Sequence, residues 1–128
     1  MILDSSAVIA ILLGEPPARS LIEKMDADPR PLIGAPTALE SAVVIEARKG
    51  TQGGKELDEL LLKFSVEIVP ATVEHFDLAR EAWRRYGKGR HPAGLNICDC
   101  LAYALAKATG EPLLFVGDDF AKTDVAAA

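Results

Sequence analysis

Cysteine, histidine and aromatic residues are all scarce in this chain: two Cys, two His, one Trp, two Tyr and four Phe among 128 residues. Cys98 and Cys100 stand two apart in an expected helix, where their side chains diverge. They neither pair with each other nor complete a zinc site, and read as reduced core residues. His75 and His91 have no partners at ligand or triad spacing, so neither qualifies as a catalytic base. Long apolar runs are missing too. The longest, Ala7 to Leu13 and Leu101 to Ala106, fall far short of the ~20 residues of a membrane span. Asp4 occupies the place where a secretion signal would carry basic residues, so a cytoplasmic protein is expected, with no membrane partner. Also absent are a Gly-Lys-Ser/Thr phosphate loop, a Gly-x-Ser-x-Gly nucleophile turn, and paired strand-end aspartates followed by Gly-Thr.

What remains is a chain that is 49% hydrophobic, with apolar residues in short blocks separated by Gly, Pro and charges. Its length suits one compact domain, residues 1 to 128. The formal net charge of −5 argues against general nucleic-acid affinity by bulk electrostatics. That average conceals a basic stretch, Arg80, Arg84, Arg85, Lys88, Arg90 and His91. Taken alone, the stretch reads as a solvated helix face and loop.

The pattern predicts strands at Met1 to Leu3, Val66 to Val69 and Leu113 to Val116, with a brief extended segment at Pro31 to Ala35. Helices are expected from Ser5 or Ser6 to Leu13, from Pro16-Pro17 to Ala27, from Thr37 to Lys49, around Leu57 to Phe64, from Thr72 to Tyr86, and from Asn96 to Thr109. Phe76, Ala79 and Trp83 share one face of the Thr72 to Tyr86 helix. Gly50 to Gly54 carries the chemistry of a loop. Strands alternating with longer helices indicate an α/β layer fold with a mainly parallel sheet, whose functional site gathers at the carboxyl ends of the strands.

Acidic residues occur where local structure would not place a charge. Asp4 ends an apolar strand, Glu40 interrupts an apolar helix, Asp99 lies between the two cysteines, and Asp118-Asp119 follow the last strand. Each has a purely structural alternative. Thr37-x-x-Glu40 and Asn96-x-x-Asp99 both match capping boxes, while Asp4 and Asp118-Asp119 are ordinary turn residues. Ser5 and Ser6 are most simply helix caps. Several carboxylates converging on one point become tolerable, however, when a cation neutralises them, and hard oxygen ligands suit Mg²⁺ or Mn²⁺. A basic stretch beside such a pocket fits a phosphodiester substrate.

Ile2-Leu3-Asp4-Ser5-Ser6-Ala7, Glu40 in the helix opened by Thr37, the block from Arg90 to Ala106, and the block from Leu113 to Val125 together resemble PIN-domain ribonucleases, and more closely the VapC toxins of bacterial toxin-antitoxin pairs. The resemblance implies a three-layer α/β/α sandwich around a short parallel sheet and a homodimer. It also implies a Mg²⁺- or Mn²⁺-dependent endoribonuclease that cleaves RNA by metal-activated water and is held inactive by a VapB-type antitoxin. Asp4, Glu40 and Asp99 match that family's acids, with Asp118 or Asp119 as a fourth; all five are candidate catalytic residues, and Asp4, Glu40, Asp99 and Asp118 the candidate metal ligands. Arg84, Arg85, Lys88 and Arg90 are the candidate RNA contacts. Two rival expectations are a phosphoacceptor receiver domain, which would need a lysine where Gly117-Asp118-Asp119 stand, and an inactive relative that only binds RNA or a partner.

Overall fold

The computed structural model describes residues 1–128. Strands β1 (Ile2–Leu3), β2 (Leu32–Gly34), β3 (Glu67–Val69) and β4 (Leu113–Leu114) form a wholly parallel sheet in the order β3-β2-β1-β4. Ile2 is in register with Leu32 and Leu113, and Leu3 with Leu114. Successive side chains on a strand point to opposite faces, and the core divides accordingly. Ile2, Leu32 and Leu113 pack with Ala79, Ala82, Tyr86 and Leu105, whereas Leu3, Ile33 and Leu114 pack with Val8, Leu21, Ile45 and Leu57. Strands apolar on both faces are what a covered parallel sheet requires.

Helices α1 (Ser5–Leu12), α2 (Ala18–Ala27) and α3 (Ala35–Lys63) contribute to the second of these cores, and α4 (Val73–Tyr86) and α5 (Ile97–Thr109) to the first. Right-handed crossovers account for the division. The chain steps from β1 to β2 to β3 in one direction across the sheet, then returns from β3 to β4 in the other, so the two sets of helices fall on opposite faces. The expected three-layer α/β/α sandwich is the architecture that forms.

Three local expectations are corrected. The Gly50 to Gly54 segment is not a loop: only Gly50 leaves helical geometry, at φ 63° and ψ −156°, and α3 continues beyond it. A Cβ on Gly53 would sit 2.7 Å from the carbonyl oxygen of Ile45, so that glycine lets the second arm of α3 pack directly on the first. Helix α3 begins at Ala35 rather than Thr37, with Gly34 as its N-cap and Pro36 in its first turn, where a missing N–H costs nothing. The cap of α1 is Asp4, not Ser5 or Ser6. The common face of Phe76, Ala79 and Trp83 is partly covered; Ala79 is buried while Phe76 and Trp83 are 56% and 42% exposed.

Gly53→Ala should destabilise the protein by about 1–3 kcal/mol, the usual cost of forcing a methyl group into a filled space. A lower urea midpoint with an unchanged slope would be the expected result; an unchanged midpoint would mean the arms of α3 can separate freely.

Candidate active site

Asp4 follows β1 directly and is 2% exposed. Its Oδ2 accepts the backbone N–H of Ser6 at 3.0 Å and the Ser6 hydroxyl at 2.6 Å. Ser6 Oγ in turn accepts the N–H of Val116 at 3.0 Å, just past β4. One serine thereby ties the carboxyl ends of β1 and β4 together and fixes the Asp4 carboxylate. The other oxygen, Oδ1, is buried and has no hydrogen-bond partner. Burial pushes the Asp4 carboxyl up to about 6; the Ser6 hydrogen bonds act against this, and the charges of Asp99 and Glu40 add to it.

Glu40 lies in α3 beyond the first turn. Because that helix starts at Ala35 with no side-chain cap, the capping-box alternative for Glu40 fails. The half-buried carboxylate instead neighbours Cys98, whose thiol is pushed up to about 11 by burial first and then by the presence of Glu40, Asp99 and Asp4. Asp99 forms its expected cap and also stands among the acids. Its Oδ2 accepts the N–H of Asn96 at 3.0 Å while Asn96 Oδ1 accepts the N–H of Asp99 at 2.9 Å, a complete capping box. Its carboxyl nevertheless titrates above the usual range, through burial first and then, against the Asn96 bond, through the charges of Glu40 and Asp119. The cap therefore orients the residue without removing it from the acidic group.

The charges of Asp99 and Glu40 thus bear on Asp4, and those of Glu40 and Asp119 on Asp99, which puts the four acids in one neighbourhood. Asp118 does not enter this effect, although both aspartates are exposed in the turn after β4. No three Asp, Glu, His or Cys side chains already form a cation cage. The orphaned Asp4 oxygen is nonetheless what a hard-cation ligand looks like before it is filled. A buried acceptor without a partner is costly, and no Lys or Arg approaches Asp4 or Asp99 to offset it.

The family model described as the PIN domain matches residues 1–126. The chain belongs to the PIN-domain family. It is 51% identical over 127 residues to a "Ribonuclease VapC" of Mycolicibacterium smegmatis, covering 99% of this chain and 98% of the relative. It is 48% identical over 126 residues to "Ribonuclease VapC30" of Mycobacterium tuberculosis, covering 98% and 96%. The crystal structure of VapC20 from Mycobacterium tuberculosis, a sarcin-ricin loop cleaving toxin, superposes with a TM-score of 0.80 over 99% of this chain and 97% of that one, at 15% identity, a likeness of fold. Membership in the PIN-domain family removes the receiver-domain alternative, and no helix of the chain is long and apolar enough to cross a membrane.

In this PIN domain the four basic candidates are not equivalent. Arg85 donates to the Tyr86 hydroxyl at 2.8 Å and lies 3.7 Å from Asp124, so it helps hold the segment after β4. Arg84 reaches Glu81 only at 3.8 Å, both exposed. Arg90 lies over the Trp83 ring at 4.1 Å, and Lys88 is exposed without an ion-pair partner. Two residues that sequence reasoning undervalued are Ser6 and Cys98. Only a fold that brings the ends of β1 and β4 side by side gives Ser6 its second partner, and only the approach of α5 to α3 places Cys98 against Glu40.

The Asp4 carboxyl yields a pH prediction. With a folded pKa near 6 against 3.8 for an unperturbed group, the folded state holds its proton where the unfolded state has lost it. Its contribution to stability is therefore lost as pH rises from about 4 to 6, reaching about 3 kcal/mol at 1.36 kcal/mol per unit. Asp4→Asn should accordingly raise the melting temperature of the metal-free protein at pH 7.5 more than at pH 4.5. Equal shifts at both pH values would show that Asp4 titrates normally.

Proposed function

We propose that residues 1–128 act as one nuclease domain, an endoribonuclease of the VapC kind that serves as the toxin of a toxin-antitoxin pair. The observation that carries this reading is the buried Asp4 carboxylate, with one oxygen fixed by Ser6 and the other unpartnered, beside Glu40, Asp99 and Asp119. The relatives' names, which are those of VapC ribonucleases, support the same reaction class.

Asp4, Glu40, Asp99 and Asp119 would hold a divalent cation, Mg²⁺ or Mn²⁺, both of which prefer carboxylate oxygen. Such an ion supplies a water of lowered pKa and neutralises charge developing on a phosphoryl group. The chain's own residues do the rest. Ser6 keeps Asp4 Oδ2 engaged and leaves Oδ1 without a partner, and the Asn96 N–H likewise engages one oxygen of Asp99. Neither histidine is needed: His75 closes a capping box with Thr72, and His91 Nδ1 accepts the N–H of Ala93. Arg84, Lys88 and Arg90 would meet RNA phosphates, with Arg85 committed mainly to Asp124. A VapB-type antitoxin and a second copy of the chain are the protein partners this reading entails.

Asp99→Asn decides between the two roles of that residue. An amide oxygen still accepts the Asn96 N–H, so the circular-dichroism spectrum should match the parent and the protein should melt no lower, while RNA cleavage in Mg²⁺ or Mn²⁺ falls to the level of a no-enzyme control. Cleavage at the parent rate would leave Asp99 a cap and nothing more. Replacing Arg84, Lys88 and Arg90 together with Gln should flatten the salt dependence of RNA binding, by roughly 0.7 in log-log slope for each single-strand phosphate that is no longer neutralised. An unchanged slope would return them to the solvated surface.

A further inference from the structure

The segment that follows β4 carries Asp119 and has little regular structure of its own. It consists of the turn at Asp118-Asp119, the single 3₁₀ turn Phe120–Lys122, and a return to the sheet edge, where Leu113 exchanges backbone hydrogen bonds with Ala126 and Ala128. Phe120 is buried and packs on Phe115, with ring centroids 5.3 Å apart. Between Phe120 and Ala126, every hydrogen bond that leaves the segment involves Asp124. Its Oδ1 accepts the Tyr103 hydroxyl at 2.6 Å and its Oδ2 accepts Lys107 Nζ at 3.0 Å, while the same ammonium donates to the Asp124 carbonyl at 3.3 Å and Arg85 lies 3.7 Å away. Both carboxylate oxygens are thus engaged, unlike those of Asp4, so Asp124 is not a spare cation ligand. Tyr103 and Lys107 follow Asp99 at four and eight residues, on one side of α5, about 6 and 12 Å further along the helix axis. The charge of Asp119 bears on Asp99 at the start of that line, and Asp124, five residues later in the chain, is bonded to its middle and its end.

We propose that Asp124 is a positioning residue, whose grip on Tyr103 and Lys107 sets the register of this segment against α5 and so holds Asp119 beside Asp99 to take up the divalent cation; the proposal rests on the reading of the acids as the site of a metal-dependent ribonuclease. The reason is entropic. An acid on an exposed turn, with neither helix nor strand to support it, gives up backbone freedom when it joins a cation. A segment that is already fastened has given up that freedom on folding, and its acid binds the more tightly for it. The Tyr103 hydroxyl makes the principal contact, because its bond to the carboxylate is short and charge-assisted and its side chain is 4% exposed. The pairs with Lys107 and Arg85 are part exposed and weaker. Phe120 and the Leu113 pairing secure the segment near its two ends. Asp124 governs the stretch between them, and with it the way the Asp119 turn is presented to α5.

Binding of Mn²⁺, followed by electron paramagnetic resonance of the free ion, reads the site without any RNA. Asp124→Asn keeps an acceptor for Tyr103 but loses the charge that holds Lys107 and Arg85, and Tyr103→Phe removes the hydroxyl while keeping the buried ring. Each should weaken Mn²⁺ binding about ten-fold, the lower end of what loss of an outer-sphere partner does to a metal site. The decisive comparison places the same changes in an Asp119→Asn protein. If Asp124 acts through Asp119, they should cause no further loss there, whereas a general loosening of the fold would weaken binding equally in both backgrounds. Should Asp124→Asn melt below the assay temperature, Tyr103→Phe carries the comparison by itself. The proposal is overturned if the variants bind Mn²⁺ like the parent, if Asp119→Asn leaves Mn²⁺ affinity unchanged, or if the losses multiply. A parent protein that shows the expected Mn²⁺ pattern but cleaves no RNA keeps the positioning role and sinks the ribonuclease reading. One that cleaves RNA while the losses multiply sinks the positioning role alone.

Discussion

Asp4 meets two requirements with a single oxygen. Its Oδ2 caps α1 through the Ser6 N–H and accepts the Ser6 hydroxyl, and that hydroxyl accepts the Val116 N–H, so the start of α1, the end of β1 and the end of β4 share one hydrogen-bonded knot. Because Oδ2 does all of this, Oδ1 has nothing left to do in the fold. A neutral cap such as Ser or Thr would satisfy α1 without burying a charge. The protein instead keeps a carboxylate 2% exposed and half satisfied, a cost that structure alone does not explain.

The parallel topology determines which residues keep Asp4 company. Every strand ends at the same edge, and the order β3-β2-β1-β4 puts the exits of β2 and β4 on either side of β1. Glu40 arrives from the helix that leaves β2, Asp119 from the turn that leaves β4, and Asp99 from the start of α5, which packs across β1, β2 and β4. Four acids scattered over most of the chain thereby meet, though none is near another in sequence. Burial first, and then repulsion from the neighbouring acids, raises the pKa values of Asp4 and Asp99. A site so charged remains open to a cation, and it excludes an anionic RNA until that charge is neutralised.

How much of this was legible in the sequence depends on whether the cause was local. The alternation of Ile2 and Leu3, of Leu32 and Ile33, and of Leu113 and Leu114 is local, and it carried the layer architecture. The capping box at Asn96 to Asp99 is local too, and it forms as expected. The matching pattern at Thr37 to Glu40 does not, because the turn of β2 into α3 through Gly34 starts the helix two residues earlier and leaves Thr37 buried inside it. Glycines at 50, 53 and 54 suggested a loop because composition cannot distinguish flexibility from close packing; only the contact between Gly53 and Ile45 reveals the second use. That the charge of Asp119 bears on Asp99 was equally out of reach, since it depends on how a short turn faces α5.

The charge distribution follows from the same sharing of positions between fold and site. A chain of net charge −5 that handles RNA has to separate its signs in space, and the fold does so with α4 and α5. The acids collect at the first turn of α5 and the sheet edge, while the arginines of α4 and the loop after it lie along the neighbouring helix. One of them is diverted: Arg85, together with Lys107 and the Tyr103 hydroxyl, converges on Asp124 and fastens the segment that follows β4. That segment begins with the turn bearing Asp119. The cation committed to Asp124 therefore does more by anchoring the segment that begins with the Asp119 turn than it would by adding one more positive charge to an exposed helix, where screening leaves little of its effect.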